Sequence, residues 1–220
     1  MVRRAHLHEM TVRDAVMAGI AKQLGHPSGL RGRLVGMLLN KGNRALVNAA
    51  VQALELQAGA RVGDVGFGGG VGLKFLLDGV GRSGVVHGVE LSETMLARAR
   101  RRYSREIAAG RLALQQGGLT QLPFGDEELS GVITVNTIYF VTELDRAFAE
   151  LSRVVNRSGR IVIGLADPDA MEKMPTSRHG FHLRPVPELV ETLRSAGLVV
   201  DHRQIDRSHL PAHLLICSRG

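Results

Sequence analysis

The 220-residue chain has little of what marks several protein classes. Its single cysteine, Cys217, excludes an internal disulfide, and nothing indicates an oxidising compartment. Tryptophan is absent and aromatic residues make up 4% of the chain, so we expect an aliphatic core. No apolar run approaches the ~18 residues of a membrane-spanning helix, and charges interrupt the N-terminus where a secretory signal would be apolar. We therefore expect a cytoplasmic protein without a membrane span.

Several kinds of site are missing as well. No Cys/His cluster has zinc-ligand spacing, so no metal site is predicted. The phosphate loop G-x-x-x-x-G-K-[ST] and the hydrolase motif G-x-S-x-G do not occur. The dinucleotide motif G-x-G-x-x-G fails in each register, because its third glycine would fall on Val71, Leu73 or Phe75. A nicotinamide-dependent oxidoreductase therefore stays only as an alternative.

Positive charge is concentrated near the N-terminus. The net charge is +7, and residues 1–61 hold nine Lys/Arg against three Asp/Glu. Such a segment could bind nucleic acid, anionic lipid or an acidic substrate. The charges are spaced singly and no aromatic side chains interleave with them, which favours a solvated helical face. A module that has lost catalysis and binds nucleic acid through its basic N-terminus is kept as a second alternative.

The order of predicted elements indicates an α/β protein. Residues 10–24 and 30–54 have helical spacing, and from residue 61 strands alternate with helices. Strands are predicted over 61–66, 84–89, 111–116, 131–135, 160–165, 198–205 and 212–218, and helices over 70–77, 92–109, 143–155 and 187–196. This pattern predicts a doubly wound sheet that binds ligands beyond the carboxyl ends of its strands. We divide the chain into a helical segment, 1–54, and an α/β domain, 55–220.

Chemistry-bearing residues follow the first two strands. The first strand contains Asp64 and runs into clustered glycines, which let a backbone approach a ligand closely before a helix begins. The second strand ends at Glu90, about 20 residues beyond the glycines, where a carboxylate can accept hydrogen bonds from both ribose hydroxyls. Together these two features predict a nucleotide-like ligand.

Five segments resemble the class I S-adenosylmethionine-dependent methyltransferases, over about residues 45 to 220. They are D-V-G-F-G-G-G from Asp64, H-G-V-E-L-S-E-T-M from His87, L-P-F from Leu122, N-T-I-Y-F from Asn136 and R-V-V-N-R-S-G-R from Arg153. The resemblance is greatest to small-molecule enzymes of the ubiquinone/menaquinone-biosynthesis type. It implies a mostly parallel seven-stranded sheet of order 3-2-1-4-5-7-6 with an antiparallel last strand. We expect the N-terminal helices to form a lid across the cleft at the carboxyl ends of the strands and to line part of the acceptor pocket.

The resemblance also implies how S-adenosylmethionine is held. Asp64 would hold the glycine loop or, through a water, the cofactor's amino group, and Glu90 would bind the ribose. The resemblance further implies that the methionine end of the cofactor contacts Gly66, Gly68 and Gly70. It also implies that adenine lies between Leu91 and Met95. A methionine buried in the core is an equally good interpretation of Met95. Relatives often have an acid on the adenine amino group where this chain has Gly118. Gln116, Thr120 or backbone carbonyls are the expected substitutes.

Methyl transfer mainly requires alignment of the nucleophile, the methyl group and sulfur. A general base is needed only when the acceptor must lose a proton. The candidates are Asn136 and Tyr139 at the end of the fourth strand, and His179 and His182 in the polar stretch 171–184, which looks like an active-site lid. A capping asparagine, a packed tyrosine and solvated loop histidines are the alternatives. Enzymes that methylate amino groups of nucleic acids typically have an N-P-P-Y-like tetrapeptide at the end of the fourth strand, and this chain has none. We therefore expect a small organic acceptor. We also expect a monomer or a homodimer.

Overall fold

A computed structural model describes residues 43–173, 181–205 and 211–220. These residues form a seven-stranded sheet of order β3-β2-β1-β4-β5-β7-β6. Its strands are β1 (Arg61–Val65), β2 (Val85–Glu90), β3 (Leu112–Gln116), β4 (Leu129–Val135), β5 (Val155–Ala166), β6 (Leu198–Ile205) and β7 (Ala212–Arg219). β7 is antiparallel to both of its neighbours, and the other pairings are parallel. The predicted fold class and strand order are confirmed.

Helices cover both faces of the sheet. They are α1 (residues 43–53), α2 (Val71–Gly79), α3 (Glu93–Arg102), α4 (Ser104–Ala108), α5 (Leu144–Val154), α6 (Pro168–Glu172) and α7 (Val186–Ser195), with a 3₁₀ turn at Ile138–Phe140. α1, α2 and α3 pack into one apolar cluster, and α5, α6 and α7 pack into the other. Among the helices of the described residues, none has the length and apolar character needed to cross a bilayer.

Central strands are apolar on both sides because each side faces helices. In β4, Val132 belongs to the cluster under α5 and Ile133 to the cluster under α1 and α2, and both are fully buried. Residues 212–217 of β7 are all buried as well. A continuous apolar run, in place of strict alternation, is typical of a strand covered on both faces. This packing leaves the ends of the strands as the place for polar chemistry.

Two elements differ from the sequence prediction. The helix predicted over 92–109 is interrupted at Tyr103, whose backbone (φ −109°, ψ 26°) leaves the helical region before α4 begins. β5 begins at Val155 rather than at residue 160, because Val155 already pairs with Leu129 of β4 across a register shift. Neither an interruption without Gly or Pro nor a long-range pairing has a local sequence signal.

Residues 43–54 belong to the packed core. Leu46 and Ala50 of α1 are fully buried, in the same cluster as Val162 of β5 and Leu214 of β7. Residues 1–42 lie outside the described residues. The lid predicted for residues 1–54 therefore stays a prediction, and its last twelve residues cover a face of the sheet.

Arg153 of α5 fixes the chain that enters β4. Its guanidinium donates to the carbonyl oxygens of Phe124 (2.8 Å) and Leu122 (3.4 Å). It also pairs with the carboxylates of Glu150 (2.7 Å) and Asp126 (2.9 Å). Glu150 in turn accepts the backbone N–H of Leu122 at 2.8 Å. The L-P-F and R-V-V-N-R segments are thus joined to each other, which gives both an architectural role.

Candidate cofactor and acceptor site

The glycine loop between β1 and α2 needs glycine at specific positions. Gly66, Gly68 and Gly70 all have positive φ, at 74°, 50° and 75°. A Cβ on Gly66 would lie 2.5 Å from Oγ1 of Thr137, so a larger residue would displace the chain after β4. A Cβ on Gly68 would meet no described atom within 4 Å. The loop is therefore packed at its start and open at its middle, where a ligand can approach the backbone.

Glu90 joins the ends of β1 and β2. Its Oε2 accepts the N–H of Gly68 at 2.9 Å and its Oε1 accepts the N–H of Ser92 at 2.9 Å, and the residue is 7% exposed. Each carboxylate oxygen has two lone pairs, so both can accept a further hydroxyl donor. Glu90, the residue predicted to bind the ribose, thus contacts the loop predicted to receive the methionine end of the cofactor. The ribose contact itself stays a prediction.

Asp64 lies beneath the same loop. It is 4% exposed, and its carboxyl group packs against Gly72 in the first turn of α2. Burial raises the pKa of Asp64 from 3.8 to about 8, and the negative charge of Glu90 raises it further in the same direction. Burial therefore favours the neutral form of this carboxyl group.

The residues predicted to hold adenine have different environments. Leu91 is 51% exposed, and a Cβ on Gly118 would touch its side chain at 3.4 Å. Gln116 donates from Nε2 to the carbonyl of Leu91 at 3.1 Å, and Thr120 is half-buried. Met95 is buried in the core cluster under α3, which favours the core-methionine alternative. Leu91 and Gly118 together form an open apolar surface next to Glu90.

Asn136 and Tyr139 meet at the end of β5. Asn136 has a positive φ of 55°, and its Oδ1 accepts the N–H of Ala166 at 3.0 Å. The Tyr139 hydroxyl donates to the carbonyl of Ala166 at 2.9 Å, and Tyr139 is 2% exposed. Burial strongly raises the pKa of Tyr139, so its hydroxyl stays protonated. This geometry lets both side chains position the β5 end, while direct roles in the reaction stay predictions.

The chain before α7 lies over the end of β4. The N–H of His182 donates to the carbonyl of Tyr139 at 2.7 Å, and its side chain is exposed. The Phe181 ring lies 4.9 Å from that of Phe140 and 6.0 Å from that of Tyr139. The backbone of His182 is therefore held next to Tyr139, while a role of its side chain in the reaction stays a prediction. His179 lies outside the described residues.

A hydrogen-bonded network that was missed at the sequence level follows β5. Asp167 Oδ2 lies 2.9 Å from Nε2 of His213, and Nδ1 of His213 lies 2.9 Å from Nε2 of His202. The hydrogen bond with His213 is the main cause that lowers the pKa of Asp167, and burial is the main cause that lowers that of His202. The three residues come from the end of β5 and from β7 and β6, so no sequence motif joins them. No His/Cys/Asp/Glu group in the described ranges has the arrangement of a metal site.

Comparisons with known proteins agree with this geometry. A model of a methyltransferase domain matches residues 63–163. A demethylmenaquinone methyltransferase from Desulfitobacterium hafniense is 28% identical over 151 residues, which are 68% of this chain and 57% of the relative. Erythromycin 3''-O-methyltransferase from Saccharopolyspora erythraea is 28% identical over 177 residues, 73% of this chain and 58% of the relative. The chain thus spans little more than half the length of these two relatives.

Solved structures show the same fold. The structure of an S-adenosylmethionine-dependent methyltransferase from Aquifex aeolicus is similar to this one, with a TM-score of 0.65 at 19% sequence identity. The aligned region covers 90% of this chain and 97% of the Aquifex chain. The strand order, the glycine loop beside Glu90 and the matching domain lead to one assignment. Residues 63–163 match a methyltransferase domain, and together these findings support a class I S-adenosylmethionine-dependent methyltransferase.

Proposed function

We propose that the protein transfers a methyl group from S-adenosylmethionine to a small organic acceptor by in-line displacement. The observation that carries this proposal is the contact of the Glu90 carboxylate with the Gly68 amide, 2.9 Å apart. It brings a ribose-binding group and an open glycine loop together at the carboxyl edge of the sheet. Ligands of doubly wound sheets bind at this edge.

The cofactor contacts follow from this arrangement. Gly68, open at the middle of the loop, receives the methionine end, with Gly66 and Gly70 shaping the loop on either side. Glu90 accepts the ribose hydroxyls. The adenine lies on Leu91 next to Gly118, with Thr120 beside it, and Met95 supports the surface from within the core. Asp64 supports the loop from below.

The acceptor side is aromatic. Phe140 and Phe181 are half-buried and lie 4.9 Å apart at the end of β4, with Tyr139 behind them. Three of the eight Phe and Tyr residues of the chain therefore gather beside Asn136. Such a surface suits an apolar acceptor, and both named relatives have names that refer to organic small molecules.

The chain's part in the reaction is mainly positional. Bound S-adenosylmethionine supplies an activated methyl group, so the protein has to align the acceptor with it and exclude water. Asn136 and Tyr139 fix the end of β5 through both backbone groups of Ala166, which holds the acceptor side of the cleft in place. Where the acceptor must lose a proton, the exposed imidazole of His182 is the described group that can take it up. His179 is a second candidate from the sequence.

Calorimetry with S-adenosylmethionine tests the cofactor site. Gly68→Asp places a carboxylate where the cofactor's own carboxylate approaches, so affinity should fall by at least about tenfold. Gly81→Asp is the matched control, since Gly81 also has positive φ and open space but lies after α2, away from the site. Equal affinity in both variants would show that the cofactor does not lie on this loop.

The same titrations separate the alternative functions. Tight binding of NADH without S-adenosylmethionine binding would support the oxidoreductase. Binding of a short RNA with a steep salt dependence would support the nucleic-acid module. We expect neither NADH nor RNA binding of this kind. We also propose that the protein is cytoplasmic and acts as a monomer or homodimer. A screen of hydroxyl, amine and carbon acceptors with labelled cofactor then identifies the methylated atom.

A further inference from the structure

Tyr103 reaches the glycine loop from the break between α3 and α4. It is one of only two tyrosines in the chain and is 6% exposed. Its hydroxyl donates to the carbonyl of Gly70 at 2.7 Å. A Cβ on Gly70 would lie 3.4 Å from the Tyr103 ring, so the ring also packs against this residue. The helix interruption at Tyr103, which the sequence did not predict, is therefore the point at which the chain contacts the glycine loop.

Two side chains hold the loop at positions two residues apart. Glu90 accepts the Gly68 N–H at 2.9 Å, and Tyr103 donates to the Gly70 carbonyl at 2.7 Å. The carbonyl of Gly70 shares a trans peptide plane with the N–H of Val71, the first residue of α2. Fixing the carbonyl towards Tyr103 therefore turns that N–H in the opposite direction. The first N–H groups of a helix have no partner within the helix and can serve a ligand.

The Tyr103 hydroxyl is suited to a permanent donor role. Burial raises its pKa, and the nearby Asp64 acts in the same direction, while Arg102 partly offsets both. The raised pKa favours the protonated phenol, which is the form that donates to the Gly70 carbonyl.

We propose that Tyr103 is a positioning residue of the cofactor site, whose hydroxyl fixes the Gly70 carbonyl and so the loop conformation that receives the methionine end of S-adenosylmethionine. The proposal rests on the assignment of the glycine loop made above. Tyr103 acts through the loop and need not touch the cofactor.

The other tyrosine provides a matched control. The Tyr139 hydroxyl also donates to a backbone carbonyl, that of Ala166, at 2.9 Å, and Tyr139 is equally buried. Tyr103→Phe removes the bond to the Gly70 carbonyl, and Tyr139→Phe removes the bond to the Ala166 carbonyl together with the longer bond to Oδ1 of Asn136 (3.3 Å). Only the first of these bonds lies at the glycine loop, because those of Tyr139 lie at the ends of β4 and β5.

The experiment measures thermal unfolding and S-adenosylmethionine binding by calorimetry for the wild type and both variants. We expect the two variants to lose a similar amount of stability. Tyr103→Phe should raise the Kd for S-adenosylmethionine about three- to tenfold, the effect of one hydrogen bond. Tyr139→Phe should leave that Kd unchanged.

Each other outcome contradicts a different statement. A wild type that does not bind S-adenosylmethionine would overturn the proposed function. A wild type that binds, with no change in Kd for Tyr103→Phe or equal changes in both variants, would overturn the role of Tyr103. Unfolding of Tyr103→Phe under conditions where Tyr139→Phe stays folded would also overturn it, because the hydroxyl would then serve the fold as a whole.

Discussion

We expect the free energy of unfolding to fall as pH rises from about 6 to 8, because of Asp64. Its carboxyl group is buried and has a pKa raised from 3.8 to about 8. Below pH 3.8 it is protonated in the folded and unfolded states alike. As pH rises, the unfolded chain ionises first, and the folded state loses relative stability until pH exceeds the folded-state pKa.

The size of this loss follows from the two pKa values. Each unit of pH between them costs about 1.4 kcal/mol, and the loss levels off near the folded-state pKa. Between about pH 6 and 8 the wild type should therefore lose about 2 kcal/mol through this group. Asp64→Asn has nearly the same shape and cannot ionise, so its stability advantage over the wild type should grow by that amount.

Urea unfolding of both proteins at several pH values from about 6 to 9 measures the difference. Histidines titrate in the same range, but they are common to both proteins and cancel when the variant is compared with the wild type. Asp78→Asn, which removes an exposed carboxylate paired with Lys74, is the control and should show no such trend. A constant difference between Asp64→Asn and the wild type would refute a raised pKa for Asp64.

Three further changes test other parts of the structure. Gly66→Ala should lower the free energy of unfolding in urea by roughly 1–3 kcal/mol, because alanine is strained at a φ of 74° and its Cβ meets the Thr137 side chain. Adding Thr137→Ala to this variant should restore part of the lost stability. If it restores none, the clash with Thr137 is contradicted. Burial raises the pKa of the Cys217 thiol to about 12, so a disulfide reagent near pH 8 should label the unfolded but not the native protein. The hydrogen bond from His213 lowers the pKa of Asp167, so the stability it gives is present above its ordinary value of 3.8 and is lost as pH falls. The unfolding free energies of the wild type and Asp167→Asn should therefore converge in acid, and a constant gap would rule this out.

Features encoded by neighbouring residues could be predicted from the sequence. The glycine run after Asp64 and the acid at the end of the second strand are local patterns, and the structure places Gly68 and Glu90 in contact. Alternation of apolar strands and amphipathic helices likewise predicted the element order. The family resemblance added the position of β7 between β5 and β6, which no local pattern could supply.

Features that depend on distant pairing were missed. Tyr103 lies at the interruption between α3 and α4, and its hydroxyl bonds to the Gly70 carbonyl, 33 residues away in the chain. The bond from the Tyr139 hydroxyl to the Ala166 carbonyl was not predicted either, and the role of Tyr139 in the reaction stays a prediction. His213 reaches Asp167 because β7 runs antiparallel to β5 and pairs His213 with Leu165. Sequence spacing contains none of these distances.

The place of β7 in the sheet has a consequence for how the molecule opens. Within the described residues, β6 is bonded to the sheet only through β7, and β7 is bonded to β5. Separation of β7 from β5 would therefore release both strands together, as one cooperative unit of native-state fluctuation. Because this unit carries His202 and His213, its backbone amides should exchange with solvent in the same event that frees Asp167. Amide exchange at β6 and β7 would then report directly on the contact between His213 and Asp167.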